Sequence, residues 1–359
     1  MAAYTTIDDP SAHFHTQLYT GTGSALSITN DANAGDFQPD FIWIKSRSNA
    51  TNNNVYDSQR GQTKRLYPNL ASDPEDTVSG FTLNTDGFST GTSSIGDINV
   101  STETYVAWQW KANGGTSTGS AAESGDNPAY NHQANTTAGF SIVTYTGTGA
   151  NGTVSHGLGA VPHIIIAKSR ASGTRYWAVY NIGLNFPTDD LVYLDADSAA
   201  NQHDPTWNNT APTSSVFTVG TYDSTNADGE SFVAYLWTPI KGFSKFGKYT
   251  GNGNADGSFI YTGFKPAWIM IKRTDGSNNW NIFDNKRDVD NIVGNVLYAD
   301  IAQEEGADAA HSSANDFLSN GFKLRETGNA VNGSGAIYVY MAFAESPFVT
   351  SGGVPCTAR

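Results

Sequence analysis

Phe41-Ile42-Trp43-Ile44-Lys45 has two echoes in the chain. They are Ile164-Ile165-Ile166-Ala167-Lys168 and Trp268-Ile269-Met270-Ile271-Lys272, at successive intervals of 123 and 104 residues. A proline stands two residues ahead of each run (Pro39, Pro162, Pro266), as fits a strand start, where its missing N–H does no harm. A strand with one wet face would alternate apolar and polar residues. These runs are apolar at successive positions, so both faces are covered by protein.

Working outward, three more landmarks recur in the same order. Tyr19-Thr20-Gly21-Thr22-Gly23 reappears as Tyr145-Thr146-Gly147-Thr148-Gly149 and Tyr249-Thr250-Gly251-Asn252-Gly253, at intervals of 126 and 104 residues. Val55-Tyr56-Asp57 matches Val179-Tyr180-Asn181 and Ile282-Phe283-Asp284. Tyr105-Val106-Ala107-Trp108-Gln109-Trp110 matches Phe232-Val233-Ala234-Tyr235-Leu236-Trp237 and Tyr338-Val339-Tyr340-Met341-Ala342-Phe343. A period near 104 is too long for a solenoid repeat and is the size of a whole domain. The expected fold is all-β: three tandem antiparallel β-sandwich modules of the jelly-roll kind. The organisation read from the landmarks is an N-terminal arm at 1–12, modules at 13–112, 136–241 and 242–348, a Gly/Ser/Thr-rich linker at 113–135 and a C-terminal tail at 349–359. Segment 301–310, rich in Ala and Glu, is the best candidate for a short surface helix.

Composition bounds the function. The 359 residues are enough for two or three domains. Only 15% are charged, 12% are aromatic and 37 are glycine, which suits short strands joined by tight turns. A net charge of -14 repels phosphate backbones and anionic lipid, so neither nucleic acid nor membrane is an expected partner. No apolar stretch approaches the roughly 20 residues that span a bilayer. The N-terminal residues show no secretory signal and the single cysteine, Cys356, permits no internal disulfide. The expectation is therefore folding in a reducing cytoplasm, and exit by a route such as lysis if the protein acts outside a cell.

Phe37-Gln38-Pro39-Asp40-Phe41-Ile42-Trp43-Ile44-Lys45, the closing run Tyr105–Trp110 and the ending Ala344-Glu345-Ser346-Pro347-Phe348-Val349 … Gly353-Val354-Pro355-Cys356-Thr357-Ala358-Arg359 resemble repeated β-rich domains of unknown function in marine tailed-phage structural proteins. The resemblance covers nearly the whole chain. Such domains are similar to concanavalin-like, lectin-like jelly rolls. The resemblance implies a virion component, tail fibre or particle surface, and supplies no catalytic residue.

The residues themselves point away from catalysis. Asp57 and Asp284 share a repeat position, but the second module has Asn181 there; Arg60 and Arg287 match Leu184. A position that accepts Asn needs no ionisable group, so a turn residue with a surface ion pair is expected rather than one carboxylate of a glycosidase pair. No Gly-x-Ser-x-Gly elbow and no His-Glu-x-x-His spacing occurs. His13 and His15 share one side of a strand, His156 precedes a buried strand, and neither pattern makes a metal site. Asp195-Ala196-Asp197 and Asp288-Val289-Asp290 are the places where calcium would sit if any is bound; otherwise no cofactor is expected. For sugar binding, exposed aromatics among polar residues are needed, and Trp207 and Tyr222, which match no core landmark, are the candidates.

The sequence thus leads to a non-enzymatic virion structural protein on the particle surface. Its expected partners are other virion subunits, further copies of itself (a homo-oligomer such as a trimer) and a host-surface glycan. The alternatives are a capsid decoration protein with no ligand and a tail-associated polysaccharide-degrading enzyme.

Overall fold

The computed structural model describes residues 3–31, 37–72, 74–92, 97–171, 173–186, 191–306 and 315–356. It is nearly all β, and every strand pairing is antiparallel. Each set of landmarks builds one large sheet with one strand order. In the first module Phe14–Thr20 pairs with the closing strand Thr104–Trp110, which pairs with Phe41–Ser46, then Asn54–Asp57 and Lys64–Leu66. The second module repeats this with Phe140–Thr146, Ser231–Trp237, Ile164–Ser169, Ala178–Asn181 and Val192–Tyr193. The third uses Ser244–Thr250, Ile337–Pro347, Phe264–Arg273, Asn281–Asp284 and Leu297–Tyr298. The registers coincide: Tyr19 lies opposite Tyr105, Tyr145 opposite Phe232 and Tyr249 opposite Tyr338.

The doubly apolar strands now have a cause. One face of each meets a small sheet of its own module. Ile42, Ile44 and Tyr105 pack with Ile28, Leu83 and Phe88, and the other modules repeat this. The opposite face enters a single core shared by all three modules, which joins Phe41, Trp43 and Trp110 to Ile164, Ile166 and Trp237 and to Trp268, Met270 and Phe343. The modules therefore are not separate sandwiches on a string. Their large sheets face one another and close into a ring.

Two further expectations change. The linker 113–135 is ordered: Gly119–Ala121 and Tyr130–Asn135 form a hairpin that extends the second module's sheet. The carboxylate of Asp40 fixes its start by accepting the N–H groups of Ala112 (2.7 Å), Gly114 (3.0 Å) and Gly115 (3.0 Å). The segment ahead of the first module is no loose arm, because Ile7 lies in the shared core and Thr5 donates to the carbonyl of Lys241. Of the expected helix at 301–310, residue 301 is a bend, 302–304 have no regular structure, 305–306 are turn, and 307–310 lie outside the described residues. Among the described residues, helix occurs as one turn at Asp223–Asn226 and a 3-10 turn at Pro10–Ala12.

Candidate functional site

The ring is held by contacts that repeat cyclically. The buried lysine ending each central strand reaches backbone carbonyls of its own module and of a neighbour. Lys45 donates to Ala302, Lys168 to Ala71 and Lys272 to Asp197, at 2.9, 2.8 and 2.8 Å. Burial lowers Lys45 and Lys272 to about 8. Ammonium groups out of water need such carbonyls. Trp177 and Trp280 likewise donate their indole N–H to the carbonyls of Tyr67 and Tyr193, and Asn53 takes the matched place with its amide on Tyr298. The basic landmark is thus structural cement.

The Asp–Arg pairs belong to the same interfaces. They were expected at the surface, but Asp57 with Arg60 and Asp284 with Arg287 are fully buried. Asp57 also accepts from Tyr235 of the second module at 2.6 Å, and Asp284 from Trp108 of the first at 3.0 Å. Glu75 joins Arg60 to Arg170, and Glu305 joins Arg287 to Arg47. The matched positions at the third interface are Asn181, Leu184, Ala200, Thr274 and Met341, with the Ala200 N–H on the Thr274 carbonyl just as Glu75 meets Arg170 and Glu305 meets Arg47. All five positions change together, from an ionic network to uncharged residues, of which Leu184 and Met341 enter the shared core.

The expected site residues fare differently. Trp207 is 2% exposed and fills the second module's own core beside Tyr180, so it offers no ring face to a sugar. Its polar neighbours form a loop over it, and the sequence does not distinguish that from exposure. Tyr222 is half-buried and sits in a surface cluster of aromatics. Its hydroxyl lies 3.2 Å from that of Tyr193, its ring 4.3 Å from His203, and the Tyr193 ring meets that of Tyr176 at 4.8 Å in a tilted contact. Tyr176 is 38% exposed. Asn201 bonds Tyr193, whose hydroxyl burial and the Tyr222 contact keep protonated well above the usual range. The cluster offers aromatic faces, neutral hydroxyls and an amide within one patch. It is individual to this module, since the first and third carry Asn52 and Asn279 where Tyr176 stands.

Of the four aspartates considered for calcium, Asp195 and Asp288 use their carboxylates on backbone N–H groups. Asp195 accepts the N–H of Trp177, and the carbonyl of Asp197 receives the ammonium of Lys272. Asp288 accepts the N–H groups of Gly294 and Asn295. Among the described residues no group of three or more metal-ligating side chains converges. His13 packs on Phe243, and His156 contacts the carbonyl of Thr213.

A polar cleft of about 130 Å³ opens between the first and third modules. Asp31 there pairs with His15 at 2.7 Å and Lys286 at 3.1 Å, and Glu345 pairs with Lys265 at 2.8 Å. Burial alone would raise the Asp31 carboxyl, but Lys286 and His15 outweigh it and hold it below its usual range. That is the wrong direction for a general acid at neutral pH.

The asparagines Asn99, Asn226 and Asn332 escaped sequence reading. Each is buried five residues before its closing strand and holds the Tyr-Thr-Gly turn. Their side-chain oxygens accept from Thr22, Thr148 and Asn252 at 2.9, 2.9 and 3.0 Å. A Cβ at Gly21, Gly147 or Gly251 would stand within 2.3 Å of a carbonyl oxygen, which is why the turn's first glycine recurs. The constant six-residue offset from the closing aromatics was the available clue.

A family model described as a domain of unknown function (DUF7483) matches residues 9–347. No curated protein matches the chain. No solved structure matches it.

Proposed function

Since the chain belongs to the DUF7483 family, a domain of unknown function, we propose its role from its own geometry: a non-enzymatic structural protein of a bacteriophage particle's exterior that touches host-surface glycans through its second module. The observation that carries the reading is the cluster Tyr176, Tyr193, Tyr222 and His203. Tyr193 recurs as Tyr67 and Tyr298, but Tyr176 is replaced by Asn52 and Asn279, so the Tyr176–Tyr193 ring pair belongs to the second module alone. Aromatic rings present apolar faces to the C–H face of a pyranose while their polar tips bond its hydroxyls. A rigid frame holding such a patch loses little side-chain freedom on binding. Many copies on one particle would turn weak contacts into firm attachment. The virion setting is supported by the resemblance of the repeat landmarks to phage structural proteins, and docking to other virion subunits would use the outer faces of the ring.

Two measurements test it. Cryo-electron microscopy of the purified particle should place density of this ring on the outside. A glycan array with the whole chain should give binding that Tyr176→Ala with Tyr222→Ala removes. Exterior density without any glycan signal would support a decoration role instead. Release of reducing ends from a bound polysaccharide would replace the reading with an enzyme acting in the cleft beside Asp31.

A further inference from the structure

The small sheet of the third module differs from its two counterparts on one face. Its edge strand Phe259–Tyr261 pairs with Gly321–Leu324 so that Ile260 faces Phe322. In the first module Ile28 faces Phe88, and in the second Val154 faces Phe217. This register makes Phe259 the counterpart of Ser27 and Thr153, and Tyr261 the counterpart of Thr29 and Ser155. Where two modules present small hydroxyl residues, the third presents two aromatics that are 46% and 48% exposed. Two residues apart on one strand, they share a face at a spacing of roughly 7 Å. Gly321 adds no side chain between them, and a Cβ there would meet the Phe259 ring at 3.0 Å.

Charge gathers at the same place. Lys245 lies 5.1 Å from the Tyr261 ring centroid and donates to the Tyr261 carbonyl at 2.6 Å. Lys241 lies 4.4 Å over the ring of Tyr4, whose hydroxyl is 3.2 Å from that of Tyr261. Neither lysine pairs with a carboxylate among the described residues, whereas Lys265, Lys286 and Lys323 do. The chain as a whole carries -14, but at physiological salt charges beyond about 8 Å are largely screened. A ligand at this face meets the two ammonium groups first.

We propose that this face is a second carbohydrate site, built for an anionic saccharide whose carboxylate or sulfate meets Lys241 and Lys245 while a pyranose ring stacks on Tyr261 or Phe259. The site is separate from the second module's patch, so it stands or falls independently of the host-glycan reading above.

The test is isothermal titration calorimetry of the full chain with three probes: an oligoguluronate hexamer, a chondroitin sulfate hexasaccharide and neutral maltohexaose. The expected result is binding of at least one anionic probe and none of maltohexaose at this face. Phe259→Ser with Tyr261→Thr installs the first module's own residues, so the fold should hold, with an unchanged Tm as the check. That variant, and separately Lys241→Gln with Lys245→Gln, should weaken binding by about tenfold or more. Tyr176→Ala with Tyr222→Ala should leave it unchanged. Absence of binding by both anionic probes at about 1 mM, or binding undiminished in the Phe259/Tyr261 variant, overturns the proposal. Self-association of the parent chain that this variant abolishes would also overturn it, by showing a protein contact at this face.

Discussion

Trp108 of the first module donates its indole N–H to Asp284 of the third at 3.0 Å, across 176 residues of chain. It meets a carboxylate already paired with Arg287 and shielded from water. The same arrangement links Tyr235 to Asp57, and the third interface does without it.

Two kinds of substitution should therefore behave oppositely. Asp57→Ala alone strands the buried Arg60 and should cost about 3–5 kcal/mol. Replacing the set together (Asp57→Asn, Arg60→Leu, Glu75→Ala, Arg170→Thr, Tyr235→Met) copies the third interface and should leave the chain close to parental stability. Urea unfolding of both variants checks this, and a quintuple variant less stable than Asp57→Ala would sink the equivalence of the interfaces.

Asp195 and Asp300 each accept one indole-bearing residue's backbone N–H, from Trp177 and Trp280, and burial raises them to about 6 and about 7. The first module does the same job with Asn69, on the N–H of Asn53. A carboxyl raised on folding contributes most below its unfolded pKa, and that contribution is lost as pH rises from about 4 to the raised value. The shifts correspond to a few kcal/mol at most, roughly. Asp195→Asn with Asp300→Asn should raise Tm relative to the parent more at pH 8 than at pH 4.5. An equal gap at both pH values would contradict the assignment.

Asn226→Ala removes an acceptor for Thr148 and two donors, to Ala150 and Gly220. About 2–4 kcal/mol should be lost, because three groups are left to find new partners in a buried turn. Hydrogen exchange at the Thr148 amide should quicken accordingly; continued protection would show that the side chain is dispensable.

Ile7→Ala should destabilise the whole ring by about 2–4 kcal/mol, as for a large-to-small change in any packed core. A chain that tolerates it without loss of Tm would restore the view of residues 1–12 as an arm independent of the fold.

The all-β class was legible because it rests on local patterns. Continuous apolar runs and matched aromatics marked the strands, though not which of them pair. The ring was not, although its mark was present: Phe41 and Trp43 point away from their own small sheet, and sequence can say that something covers them without saying what. Asp57 and Arg60 were matched correctly across modules and still misread as a surface pair. Their remaining partners, Glu75, Arg170 and Tyr235, lie up to 178 residues away and carry no spacing rule. Trp207 misled for a related reason, since a tryptophan beneath a polar loop has the neighbours of an exposed one. Tyr222 is half-buried, and its companions Tyr176 and His203 come from different loops that only folding unites.

The lysine contact from Lys45 to Ala302 spans 257 residues. At about 5–20 residues per second on the ribosome, the first module waits roughly 13 to 50 s for the carbonyl that its ammonium needs. Until then the inner face of its sheet, with Trp43, Trp108 and Trp110, has only half of its cover. Synthesis therefore exposes a sticky intermediate that closes only once the third module has emerged, and chaperone demand during translation should be set by ring closure rather than by any single module.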